Sequence, residues 1–169
     1  MLASTLTNLA SVYVAQGALE SAEPVARRAV AVSESALGPQ HPSVSVALNN
    51  LAQTLRLRKR YSEAEPLYRG ALRIVEEAGG RHTREYAQAL GNLADSFKQR
   101  EKYIGAVELY GRSIDILSRV AGPRSAEVAE MQCSLAEVYK AMRRNAEAAA
   151  LLREWRPLVT TVRSFQPSR

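Results

Sequence analysis

One short pattern recurs along this chain at a fixed step of 42 residues. Leu9-Ala10 returns as Leu51-Ala52, Leu93-Ala94 and Leu135-Ala136, and Ala22 returns as Ala64, Ala106 and Ala148. Asn8, Asn50 and Asn92 keep the same step, with Ser134 in the fourth place. A period within the range of about 20–50 residues marks a stacked-repeat architecture. Such an array works through an extended surface, because each unit touches only its neighbours. Four steps of 42 nearly exhaust the 169 residues, so the chain reads as one array. Its units run over about 3–44, 45–86, 87–128 and 129–162, followed by a basic tail at 163–169.

The second unit shows what one step contains. Val46, Leu48, Leu51, Ala52 and Leu55 follow the three-to-four spacing of an amphipathic helix over 44–57. Arg58-Lys59-Arg60 breaks the apolar pattern. Ser62 with Glu65 reads as a capping box opening a second helix, with Pro66 in its first turn. Ala64, Leu67, Tyr68, Ala71, Leu72 and Val75 supply the apolar stripe, and Gly79-Gly80 stops it. Gly38-Pro39-Gln40-His41-Pro42 and Gly122-Pro123 punctuate the neighbouring units. No strand-like alternation occurs, so the unit is a helical hairpin and the fold all-α. Alanines at 10, 52, 94 and 136 and at 22, 64, 106 and 148 let the paired helix axes approach closely. Tyr13, Leu55, Phe97 and Tyr139 fill the space between neighbouring units.

Leu6, Leu9, Ala10, Tyr13, Ala22, Ala26 and Ala29 resemble the tetratricopeptide repeat (TPR) signature, with Tyr68 and Tyr110 at its aromatic site in units two and three. The eight residues beyond the usual 34 make the 42-residue unit similar to the kinesin light chain subclass. Ala47-Leu48-Asn49-Asn50-Leu51-Ala52 and Ala64-Glu65-Pro66-Leu67-Tyr68 carry that likeness. The resemblance implies a right-handed α-α superhelical solenoid of four TPR helical hairpins, whose first helices line a concave groove for a partner segment. Gln132, Ser134, Trp155 and Pro157 depart from the pattern, so unit four reads as a terminal cap sealed by Trp155.

Transferred onto that groove, the resemblance places Asn8, Asn50, Asn92 and Ser134 in one column. Ser11, Gln53, Asp95 and Glu137 follow one turn on, then Val14, Arg56, Lys98 and Lys140. An asparagine amide both donates and accepts, so a column of them can pair with a peptide main chain. The same amides can instead bond neighbouring helices together. Candidate peptide contacts are Asn8, Asn50, Asn92, Gln53, Asp95, Arg56, Lys98 and Lys140.

Arg56, Arg58, Lys59 and Arg60 recur as Lys98, Arg100 and Lys102, then as Lys140, Arg143 and Arg144. This basic ridge either steers an acidic peptide, as the resemblance to kinesin light chains suggests, or merely complements the helix dipoles. The net charge of +6 is unevenly shared, with −1 in residues 1–44 and +3 in 45–86. That excess is too diluted by glutamate to indicate nucleic acid as a partner.

Other features point away from chemistry. His41 and His82 lack ligand-spaced partners, which argues against a metal site. Cys133, the single cysteine, reads as a small, partly buried packing residue. Gly79-Gly80 is followed by no Lys-Ser/Thr pair, so it is no phosphate loop. No catalytic cluster and no cofactor are expected. No apolar run is long enough to span a bilayer and no signal sequence precedes the array, so a cytoplasmic address, with a cytoskeletal one open, is the expectation. Leu2, Leu6 and Val30 leave an apolar N-terminal end, which makes end-to-end self-assembly, or a place within a longer array, the rival to peptide binding.

Overall fold

A computed structural model describes residues 2–153. Trp155, Pro157 and the basic tail lie outside the described residues. Eight helices follow one another, and the described residues contain no strand. They are α1 (Leu2–Ala15), α2 (Leu19–Leu37), α3 (Pro42–Leu57), α4 (Tyr61–Glu77), α5 (Arg84–Gln99), α6 (Tyr103–Val120), α7 (Ala126–Ala141) and α8 (Asn145–Arg153). Each odd-numbered helix packs antiparallel to the even one that follows, and each even helix packs on the next odd one. Odd helices also touch one another, α1 with α3, α3 with α5 and α5 with α7. Even helices have no comparable approach, so the stack curves with the odd helices on its inner wall.

The repeated alanines explain the close hairpins. Ala10, Ala52, Ala94 and Ala136, with Ala22, Ala64, Ala106 and Ala148, are all at most 1% exposed. Larger groups bridge the units. Tyr68 and Tyr86 sit fully buried in a cluster that runs from Ala10 to Leu93, with Phe97 packed against it. Tyr110 anchors the next cluster with Ala94, Leu135 and Val138. The core is therefore shared between neighbours rather than enclosed by any one hairpin.

Both kinds of turn are repeated. Gly17, Lys59, Glu101 and Arg143 stand in phase, and all four adopt positive φ, from 57° to 73°. At each, the next amide reaches back to a carbonyl five residues earlier, as Arg60 N–H does to Leu55 O at 2.9 Å. This Schellman closure ends the odd helix and restarts the chain at once. It also displaces the expected capping box: α4 opens at Tyr61 behind Arg60, with no side-chain cap. Ser62 lies already within the helix, and Pro66 falls past the first turn. The opposite turns do carry caps. His41, Thr83 and Ser125 are in phase, and each side chain accepts an N–H from the first turn that follows. His41 Nδ1 thus has a structural task, accepting from Ser43 N–H at 3.1 Å.

Cys133 is exposed, not partly buried. Val128, Leu135 and Val138 define the buried face of α7, and Cys133 lies five residues, about 140° of helix rotation, beyond Val128.

Candidate functional site

The inner wall begins with the asparagines. Asn50 donates from Nδ2 to Ser11 Oγ at 3.0 Å, tying α3 to α1. The side chains of Asn8 and Asn92 make no hydrogen bond among the described residues, and Asn8 is exposed. The column therefore divides: Asn50 links units, whereas Asn8 and Asn92 keep free amides.

The charged positions below them are brought together more tightly. Arg56 lies 3.5 Å from Asp95, Asp95 lies 3.6 Å from Lys98, and Lys98 lies 3.0 Å from Glu137. A line of alternating sign thus runs through units two, three and four. Asp95 also accepts a hydrogen bond from Tyr110 Oη, which fixes the carboxylate from behind. Burial pushes the Tyr110 hydroxyl well above its usual range, and the Asp95 charge adds to this, so it stays a neutral donor. Behind Arg56, the fully buried Tyr68 Oη and the Arg56 Nε both lack hydrogen-bond partners. Burial pushes the Tyr68 hydroxyl up to about 12, outweighing the lowering effect of Arg56 nearby. Lys140 is exposed and makes no ion pair among the described residues.

Most of the basic ridge is not free charge. Glu23, 7% exposed, accepts from Arg27 Nε at 2.9 Å, from Arg58, and from Arg60 Nη1 at 2.7 Å. One step on, Glu65 accepts from Arg100 at 2.6 Å and faces Lys102 at 3.6 Å. The same two strides carry both sets, so each unit's glutamate holds two cations of the next. At the third junction Val107 replaces the glutamate and Met142 replaces the arginine, and both pack against the core. Arg144 turns instead to Glu147. Lys59 and Arg143 remain without ion pairs among the described residues. The ridge therefore acts chiefly as a charge ladder between units. Sequence spacing missed it, because the acceptors Glu23 and Glu65 lie in the preceding hairpin.

Sequence reading also missed two sockets sunk between odd helices. The first, about 340 Å³, is lined by Thr7, Asn8, Ser33, Leu37, Ser43 and Val46. The second, about 250 Å³, is lined by the in-phase set Asn49, Asn50, Val75, Glu85 and Gln88, together with Ala71, Ala89 and Asn92. Each holds a buried polar atom with no partner, Ser33 Oγ in the first and Asn49 Oδ1 in the second. At the third junction the same place is filled. Gly91 stands where the others have Thr7 and Asn49, and Met131 where they have Ala47 and Ala89. Met131 seats on Gly91 so closely that a Cβ there would meet Sδ at 2.6 Å. In-phase swaps of large for small residues were the available signal.

A curved stack of helical hairpins with a polar inner wall defines a repeat-type interaction scaffold. The tetratricopeptide repeat family model matches residues 1–77, 51–117 and 85–158, and the chain belongs to that family. No curated protein matches the chain. Among solved structures it is similar to BtubC (BKLC) from P. vanneervenii, at 20% identity and a TM-score of 0.85, covering 99% of this chain and 67% of that one. A kinesin-light-chain-type protein of Podosopora anserina with nearly identical TPR-like repeats aligns at 20% identity and a TM-score of 0.82, covering 97% and 77%. The apo form of RapI aligns at 15% identity and a TM-score of 0.82, covering 96% and 57%. In fold the array is similar to these kinesin light chain-type TPR structures. No helix among the described residues is long and apolar enough to cross a membrane.

Proposed function

We propose that this chain is a non-catalytic adaptor that holds an extended partner peptide along the inner wall of its superhelix. The observation that carries this reading is the pair of open, in-phase sockets walled by Asn8 in one and by Asn50 and Asn92 in the other. Free amides at Asn8 and Asn92 can pair with a passing main chain, whose own donors and acceptors need partners once desolvated. Gln53 and Arg56 on α3, with Asp95 and Lys98 on α5, follow Asn50 and Asn92 along the same helices and are the further contacts of this reading. Acidic residues of the peptide would face Lys140, since Arg56 and Lys98 already hold Asp95 and Glu137. A cytoplasmic location fits such an adaptor.

Peptides selected from a random library against the full chain test the reading by fluorescence anisotropy. An Asn8→Ala/Asn92→Ala variant, which removes the two free amides, is expected to bind about tenfold more weakly, the equivalent of one or two modest hydrogen bonds. Unchanged affinity would rule out the groove as the binding surface. Binding that does not weaken with added salt would rule out the acidic preference.

One observation favours a second reading, end-to-end association. Leu2 is 55% and Leu9 39% exposed, while their in-phase counterparts Val44 and Leu51 are 0% and 3% exposed beneath α2. Val30 does not add to this face; it packs against the first core cluster. A Leu2→Glu/Leu9→Glu variant should abolish any rise of light-scattering mass with concentration seen in the wild type. A wild type of constant mass excludes self-association through this face.

A further inference from the structure

The second socket has a chemistry of its own, and the occupant that chemistry selects presupposes a peptide lying in the groove. Its walls are divided. Val46, Ala71, Val75 and Ala89 give it an apolar lining, while Asn49 Oδ1 is a buried acceptor that receives no hydrogen bond. Glu85 stands at the mouth, exposed, in the first turn of α5. Its in-phase counterpart Glu127 is neutralised by Arg84 at 3.2 Å, but Glu85 has no ion pair among the described residues. Among the described residues the lining therefore holds a carboxylate with no ion pair, and no cation. The volume of about 250 Å³ is several times the share of one water, about 30 Å³.

Each class of occupant can be weighed against those walls. A carboxylate could accept from the Gln88 and Asn92 amides, but it would meet Glu85 with no cation in the lining to offset the repulsion. A purely apolar side chain would fill the walls but leave Glu85 without a counter-charge. A side chain with a long methylene stem and a donating, positively charged head covers the apolar walls and pairs with Glu85. We infer that the second socket receives a lysine or arginine side chain of the partner segment. Its stem lies on Val46, Val75 and Ala89, and its head donates to Glu85. The first socket lacks any charged residue in its lining and is not equivalent. The third position is closed by Met131 on Gly91. The groove thus reads basic character at one register only, which would fix how a peptide lies along it.

The test uses the full chain, labelled with nitrogen-15, titrated with N-acetyl-lysine N-methylamide as probe. The norleucine and glutamate analogues serve as controls. The lysine probe is expected to give saturable shifts of the Asn49, Gln88 and Asn92 side-chain amides, and the controls none. Glu85→Gln, an exposed substitution that leaves the core untouched, should weaken the lysine probe about tenfold. Ala89→Met, which brings the residue of the closed position into the open one, should abolish the shifts. Equal binding of the norleucine analogue, an undiminished response in Glu85→Gln, or the absence of saturable shifts in the wild type would each overturn the assignment. None of these outcomes touches the asparagine-dependent binding of selected peptides, so the socket and the groove can fail separately.

Discussion

Tyr110→Ala should be the most damaging single substitution in the array, lowering stability by about 3–5 kcal/mol in urea denaturation. The side chain is fully buried between Ala94, Ala106, Leu135 and Val138, which belong to units three and four. Its removal leaves a cavity at a junction where two hairpins share one core. Its hydroxyl also donates to Asp95, so the carboxylate that joins Arg56 to Lys98 loses its support from behind. Tyr110→Phe separates the two effects: it keeps the packing and should cost only about 1 kcal/mol. Because each unit contacts only its neighbours, hydrogen exchange should accelerate in α5–α8 before α1–α3. A Tyr110→Ala variant within about 1 kcal/mol of wild type would show that this junction is not the shared core described.

Glu23→Gln is expected to cost about 2–3 kcal/mol at neutral pH, discounted because the arginines it holds are themselves partly exposed. Burial alone would raise the Glu23 carboxyl, but hydrogen bonds from Arg27 and Arg60 and their charges outweigh it and hold it below the ordinary carboxylate range. A carboxyl lowered in the folded state stabilises fully above the unfolded value, about 4.3, and loses that contribution as pH falls through the folded value. The difference between wild type and Glu23→Gln should therefore be largest near pH 7 and shrink below about pH 4. Denaturation curves across pH check this. A difference that stays constant down to about pH 3 would mean that the ladder carries no stabilising charge.

What could be read from the sequence was whatever repeats at the 42-residue step within one unit. The eight alanines fix hairpin spacing locally, and all are buried as the step implies. The helix pairs follow from apolar periodicity alone. Pairings between units were hidden, because they join different positions of adjacent hairpins: Ser11 with Asn50, Glu23 with Arg58 and Arg60, Lys98 with Glu137. The offset arises from how one hairpin settles on the next, which no period reveals. The basic run was visible, yet its glutamate acceptors sit one unit earlier, so it looked freer than it is. Ser62 failed as a cap because the left-handed Lys59 restarts the helix one residue after it, at Arg60 and Tyr61. Met131 closing the third socket depends on Gly91 across the junction, two single-residue departures that gain meaning only when placed face to face.

Chemical-shift mapping of a library-selected peptide on the labelled full chain bears most directly on the proposed groove. The changes should follow the inner wall, centred on the side-chain amides of Asn8, Asn50, Gln53 and Asn92, and fade on the outer faces of α2, α4 and α6. Shifts confined to those outer helices, or to the end of the stack around Leu2 and Leu9, would contradict a peptide held in the groove.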